Sequence, residues 1–435
     1  MNYKIKALLL SAVCMGAGQL YNRQYGKGLL FLAVYVAGWY SLLNSLLGYV
    51  RGLITLGEQP SGMVKVGKLT KMVEGDHSIF MMIDGLIALL AILLLAGVYV
   101  LNLRDAYLTG AARERGEQPR SFAASLRELN RKHFAYLVLA IPGVAVLFLT
   151  ILPIIFSVLL AFTNYADPIL PPANLVDWVG FDNFLRMVNL KVWSSTFGGV
   201  LAWTLIWAVI ATFTTYVGGV LVAVLIQQPG IRFKKLWRTV LIVPFAIPSM
   251  ISLLVMRNLF NNQFGPVNSY LRSMGLDGIP WLTDPFWAKV TVILANMWLG
   301  IPVTMILAIG VLTTIPKDMY EAAEVDGAGA YQKFRLITLP MVLFATAPVL
   351  IMQFAGNINN FNVIYLLTGG EPVNANYQYA GHTDLLVTWL YKLALNQSQY
   401  SFASVIGIVI FLMVASFSIW SYRRTRSYRE EDMIA

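Results

Sequence analysis

The chain has 435 residues, of which 57% are hydrophobic and only 12% charged, with a formal net charge of +10 and a mean hydropathy of +0.65. A soluble domain carries roughly a quarter of its residues as charges, so a soluble globular protein is excluded. Apolar runs of the roughly 20 residues needed to cross a bilayer recur along the whole length, which makes this an all-α polytopic membrane protein.

At the N-terminus, Lys4 and Lys6 precede "ALLLSAVCMGAG" and imitate a signal peptide. No small-x-small cleavage site follows, and Ser11 stands where a lipoprotein signal has a bulky aliphatic. Residues 7–20 are therefore expected as an interfacial or re-entrant helix that is retained. Cys14, the only cysteine, reads as a small buried apolar residue and leaves no disulfide or thiolate cluster. Eight spans follow, at about 28–50, 79–103, 134–162, 198–226, 238–260, 287–312, 341–366 and 402–421. Pro244, Pro248 and Pro302 fall inside spans and predict kinks or broken turns, because each removes a backbone donor.

Basic residues set the orientation. Segment 104–133 carries Arg104, Arg113, Arg115, Arg120, Arg127, Arg131 and Lys132. Two connections on, "QQPGIRFKKLWR" adds Arg232, Lys234, Lys235 and Arg238, and the tail adds Arg423, Arg424, Arg426 and Arg429. All three fall on one side of the span list, which places both termini in the cytoplasm. The intervening segments hold Asp167, Asp177, Asp182, Asp277 and Asp284. Loop 51–78 dissents, with Arg51, Lys65, Lys68 and Lys71 on the outer side. Basic residues that flank spans meet anionic headgroups, so lipid rather than nucleic acid is the expected contact. The chain divides into 1–133, an extension with two spans and a basic cytoplasmic segment, and 134–435, a six-helix core.

Bond chemistry has no foothold. "GMVKVGKL", Gly62 to Leu69, nearly matches a P-loop, but Leu69 stands where Mg²⁺ needs a hydroxyl. His77, His133 and His382 lack metal-ligand spacing, and no nucleophile elbow occurs. No catalytic residue, metal or cofactor is expected, so energy for transport comes from a partner or an ion gradient.

Between the sixth and seventh spans lies "YEAAEVDGAGAYQKFRLITLP", Tyr320 to Pro340. Glu321, Ala322 and Ala323, then Gly327, then Ile337, Leu339 and Pro340 keep the spacing E-A-A, three residues, Gly, nine residues, I-x-L-P. This resembles the EAA loop of ATP-binding-cassette (ABC) importer permeases, and the charge count independently puts it in the cytoplasm. Pro316 and nearby acids suit a helix N-terminus, the Ala-rich body favours helix, and Gly327 and Gly329 allow a sharp exit. The resemblance implies a short coupling helix for an ATPase groove, within a type I ABC importer permease fold. "VPFAIPS", "NQFGPVN", "NINNFNVIYLLTGGEP" and "GHTDLLVTWLYKLAL" look like the larger permease subunit of maltose/maltodextrin importers. Enteric members carry a folded domain after the third helix, where this chain has only about 163–197.

"FAGNINNFNVIY" places four asparagines in an apolar span. At 100° per residue, Gln353, Asn357 and Asn360 form one polar stripe, whereas Asn359 and Asn362 point elsewhere and are expected to bond neighbouring helices. Amides donate and accept, as sugar hydroxyls do, and polar residues at membrane depth mark substrate pathways. A cation pathway calls for carboxylates, and Asp84 lies outside the six-helix core. The resemblance implies a sugar site at Leu299, Gly300, Val303, Gln353, Gly356, Asn357 and Asn360, with Val303 and Gly356 replacing aromatics of the enteric pattern.

The expected function is a multi-pass cell-membrane permease for maltose or maltodextrin, working by alternating access. The implied partners are a second homologous permease subunit, two copies of an ABC ATPase, an extracellular solute-binding protein and a maltooligosaccharide. Its rivals are a permease for raffinose-type or multiple sugars, an ion-coupled secondary transporter, and a non-transporting scaffold.

Overall fold

A computed structural model describes residues 2–66, 69–118, 124, 127, 130–132, 134–228 and 230–424. Lys68, Arg120, His133, Arg426 and Arg429 lie outside the described residues. Among the described residues seven helices are long and apolar enough to cross a membrane, or eight if a bent pair is one span. The chain forms two compact units, Met1–Gly180 and Phe181–Ala435. Residues 134–180 thus cluster with the preceding helices.

In the first unit, α1 (Tyr3–Val13) and α2 (Ala17–Tyr21) precede α3 (Tyr25–Thr55). At 1.5 Å per residue, α1 is about 16 Å long, too short to cross a bilayer. It packs instead along α4 (Ser78–Glu114). The α1–α2 turn closes on Gly16, whose φ of +89° and 2.2 Å approach to the Gly28 carbonyl oxygen, measured from an added Cβ, admit only glycine. Buried polar groups hold this hairpin. Ser11 Oγ donates to Gln19 Oε1 (3.0 Å), Gln19 Nε2 donates to the Asn102 carbonyl (2.9 Å), and Gly16 N–H donates to Asn102 Oδ1 (3.1 Å). Lys27 completes it by pairing with Asp105 at 2.9 Å.

Strands β1 (Gly62–Val66) and β2 (Leu69–Val73) form an antiparallel hairpin with Met63 opposite Met72. The near-P-loop therefore begins in a hairpin strand rather than in a strand-to-helix turn. Helix α5 (Phe134–Leu160) fully buries only Leu160, with Phe156 and Leu159 packed against the same core, and most of its remaining apolar surface is exposed.

The second unit begins with α6 (Asp182–Asn189) and is built around α7 (Lys191–Gln227) and α11 (Pro285–Thr314). Small residues let these two long helices approach closely. A Cβ at Gly219 would lie 2.5 Å from Thr304 Cβ, and one at Gly300 would lie 2.4 Å from Thr215 Cγ2. Between them in sequence come α8 (Lys234–Ala246), α9 (Ser249–Leu259) and α10 (Pro266–Ser273). The expected span 238–260 is bent by 92° between α8 and α9. Pro248 is the N-cap of α9, and Ile247 before it is extended, as a residue preceding proline prefers. At Pro244 and Pro302, by contrast, the helices continue unbroken.

Helix α12 (Lys317–Val325) leads into α13 (Ala330–Ile358), which includes a π-helical turn at Phe334–Thr338. The expected span 341–366 thus begins earlier and stops at Ile358. A separate α14 (Phe361–Leu367) follows, then α15 (Leu386–Tyr391) and α16 (Tyr400–Arg424). The α14–α15 loop is fastened by Asp384, which accepts from Gly381 N–H (2.7 Å), Thr388 Oγ (2.9 Å) and Lys392 Nζ (2.6 Å). Burial pushes this carboxyl above the usual range, while Lys392 works in the opposite direction.

Two apolar layers form the core of the second unit. One joins Trp203 and Trp207 of α7 to Leu253, Val292, Ile364 and Leu385. The other joins Tyr216 and Val220 of α7 to Met305, Ala308 and Val342.

Candidate functional site

Between those layers α7, α11 and α13 each contribute polar side chains. They line a cavity of about 260 Å³ together with Ser249, Leu253, Leu299, Gly300, Asn362 and Val363. Its polar lining includes Thr215, Asn296, Gln353, Asn357 and Asn360, and no lining residue carries a charge. Gln353 and Asn357 are four residues apart on α13, so they share a face.

The asparagines divide differently from the expectation. The helix ends at Ile358, with Asn359 as its C-cap and Asn360 as the N-cap of α14, so the 100° projection does not carry through to Asn360. Asn360 reaches the cavity because the break turns it there. Its Nδ2 donates to Asn296 Oδ1 (3.0 Å) and Asn357 Oδ1 (3.3 Å), and its Oδ1 accepts from Val363 N–H (3.4 Å). Asn357 is buried, with Nδ2 donating to Thr212 Oγ (2.9 Å) and its carbonyl accepting from Trp207 Nε1 (3.0 Å). Asn296 Nδ2 donates to Thr215 Oγ at 3.3 Å.

Asn357 and Asn360 are thus the residues that bond neighbouring helices. Asn359 and Asn362, expected in that role, are exposed, and Asn362 lines the cavity. Among the described residues Gln353 makes no side-chain hydrogen bond, and it lines the cavity. An amide presents two donors and one acceptor oxygen, the complement of a vicinal hydroxyl pair.

Of the other expected site residues, Leu299 and Gly300 line the cavity, whereas Val303 and Gly356 do not. Val303 is 37% exposed one turn further along α11, and a Cβ at Gly356 would meet nothing within 4 Å. Sequence reasoning missed Thr212, Thr215, Ser249 and Asn296. Asn296 had a legible signal, because it is the single amide inside the apolar window "TVILANMWLG".

The segment 320–340, expected to couple to an ATPase, has its own geometry. Glu321, Ala322 and Ala323 lie on α12, whose outer surface exposes Met319 and Val325. Gly327 follows with φ +78°, its N–H donating to Glu324 O (3.0 Å) while Ala328 N–H donates to Ala323 O (2.8 Å). This closes the helix through a left-handed residue, as a C-terminal glycine does. Gln332 Oε1 then accepts from Gly329 N–H at 2.8 Å to start the next helix. Ile337 falls in the π-helical turn and Leu339 and Pro340 just beyond it. A groove of about 640 Å³ separates α12 from Val224 and Gln227 of α7 and from Leu312 and Ile315 at the end of α11.

Residues 215–427 match the model of the binding-protein-dependent transport system inner membrane component family. The galactooligosaccharides transport system permease of Bacillus subtilis is 40% identical over 99% of this chain and 100% of its own length. The maltodextrin transport system permease of Streptococcus pneumoniae is 37% identical over 98% of this chain and 97% of its own. The maltose/maltodextrin permease of Escherichia coli is 38% identical over 60% of this chain and 52% of its own length. In a crystal structure of a bacterial alginate ABC transporter, the matched chain has a TM-score of 0.57 at 23% identity, over 69% of this chain and 97% of that one. That likeness supports the fold, and the full-length identities carry the membership: this chain belongs to the binding-protein-dependent transport inner-membrane component family, as a multi-pass permease of an ABC importer.

Proposed function

We propose that the chain is the larger permease subunit of an oligosaccharide importer of the maltodextrin class. In this reading it has no ATPase site of its own and works with a second permease, two copies of an ATPase and an extracellular binding protein. The observation that carries the reading is the cavity, which is uncharged, lined by amides and hydroxyls, and placed between two apolar layers. Such a lining suits a neutral polyol. The lining holds no carboxylate to offer a coupling cation.

Gln353 is the direct sugar contact, Leu299 and Gly300 flank it, and Asn357 and Asn360 keep the site's shape while offering their remaining hydrogen-bonding capacity. In this reading Gly356, where an added Cβ would meet open space, and the exposed Val303 leave room for a longer chain. ATP-driven closure of the ATPases moves Glu321–Ala323 and Gly327 on the inner side, Ile337, Leu339 and Pro340 pass that movement into α13, and the sugar is released inward. Both termini face the cytoplasm. Residues 134–435 act as the six-helix permease core, with 1–133 as an extension. The outward apolar surface of α5 supports its lying against lipid or the second permease.

A galactooligosaccharide is the second reading, favoured by the 40% identity to the Bacillus subtilis permease. Competition separates the two. In cells carrying the complete transporter, unlabelled maltotriose should suppress uptake of labelled maltotetraose, and a β-galactotriose should not. Suppression by the galactotriose alone would assign the second substrate.

A further inference from the structure

Within the coupling segment the groove behind α12 leaves this helix unsupported by the ends of α7 and α11. Among the described residues, α12 makes two side-chain hydrogen bonds, and both end on the start of α13. Glu324 Oε1 accepts from Lys333 Nζ at 2.5 Å, and Tyr320 Oη shares a hydrogen bond with Thr338 Oγ at 2.9 Å. They differ in where they fasten. Lys333 precedes the π-helical turn Phe334–Thr338, whereas Thr338 is its last residue.

A π-helical turn interrupts the regular ladder and is a natural place for a helix to yield. Force entering α13 through the backbone at Gly329, or through Lys333, must cross that turn. Force entering through Tyr320 bypasses it. Thr338 is buried, and its hydroxyl also lies 3.4 Å from the Lys333 carbonyl. From Thr338 to Gln353 is 15 residues of helix, about 22 Å at 1.5 Å per residue.

We infer that Tyr320 is a positioning residue for transport: its hydrogen bond to Thr338 is the strut that makes the coupling helix and the cavity-lining part of α13 move as one body. The inference rests on the permease reading above. Neither residue touches substrate or nucleotide in that reading, so their loss should alter coupling rather than affinity.

The test uses the complete complex in proteoliposomes with its binding protein, and reads sugar molecules imported per ATP hydrolysed. Tyr320→Phe and Thr338→Val should each lower that ratio by about threefold to tenfold, the consequence of one lost hydrogen bond, with basal ATP hydrolysis and the KM for sugar-loaded binding protein unchanged. Thr338→Ser should retain the wild-type ratio, because it keeps the hydroxyl. The double variant Tyr320→Phe/Thr338→Val should be no worse than either single one. A normal ratio in Tyr320→Phe, or losses that multiply in the double variant, would overturn the strut. If the wild-type complex itself shows no stimulation by sugar-loaded binding protein, the permease reading fails and the strut with it.

Discussion

Gln353→Leu and Asn360→Leu, compared side by side, separate sugar contact from helix bonding. Gln353 is half-exposed to the cavity and engages no side chain of its own protein, so its replacement strands no partner. Its amide can form two hydrogen bonds with a sugar, and at about 0.5–1.5 kcal/mol each their loss amounts to about 1–3 kcal/mol. That corresponds to roughly fivefold to 150-fold weaker transport, with no loss of folded complex. Asn360→Leu removes two donors and an N-cap, and it leaves Asn296 Oδ1 and Asn357 Oδ1 facing an apolar group. The two bonds and the cap, the latter worth about 1 kcal/mol, sum to about 2–4 kcal/mol of lost stability. The assay is uptake per assembled complex, with the melting temperature of the purified complex measured in parallel. Gln353→Leu should depress uptake and leave the melting temperature, whereas Asn360→Leu should lower both. Normal uptake in Gln353→Leu would refute the assignment of that amide to the sugar.

Other substitutions address the remaining parts. Gly327→Val forces a β-branched residue into φ +78°, which should misdirect the coupling helix; sugar-stimulated ATP hydrolysis should fall by an order of magnitude or more in a complex that still reaches the membrane, and normal stimulation would contradict the coupling role. Lys392→Met leaves the buried Asp384 carboxylate without its cation, a change that costs about 3–5 kcal/mol and should sharply reduce the yield of folded complex, read by detergent solubility and size exclusion. For topology, in a Cys14→Ser background a cysteine at Asp177 should react with an impermeant thiol reagent from outside and one at Arg115 should not; the reverse pattern would invert the orientation.

Hydropathy made the spans legible, because a bilayer leaves long apolar helices as its clearest mark on a sequence. Motif spacing made the helix at 317–325 and its exit legible for a similar reason: Gly327 is required by a left-handed turn, and its place after the helix is fixed by the helix length. The breaks were harder to read. Prolines at 244, 248 and 302 looked alike, yet only Pro248 accompanies a 92° bend. A proline inside a span is tolerated when neighbours satisfy the freed carbonyl, and that depends on packing. The break at Asn359–Asn360 carried no proline, so a periodic projection ran straight through it: Asn359 and Asn362, expected to bond neighbouring helices, are exposed, while Asn357 and Asn360 both line the cavity and bond neighbouring helices. Side chains from α7 and α11 completed the cavity, and only tertiary packing brings Thr212, Thr215 and Asn296 to Asn357 and Asn360. The π-helical turn at 334–338 left no compositional trace.

The central claim is that an uncharged, amide-lined cavity carries sugar at the expense of ATP bound elsewhere. The most direct measurement is uptake of labelled maltotriose into proteoliposomes holding the complete complex, with ATP supplied on the side of the ATPases and an uncoupler added in parallel. Accumulation should require ATP and binding protein, saturate with sugar and ignore the uncoupler. Accumulation that persists without ATP and collapses with the uncoupler would contradict it.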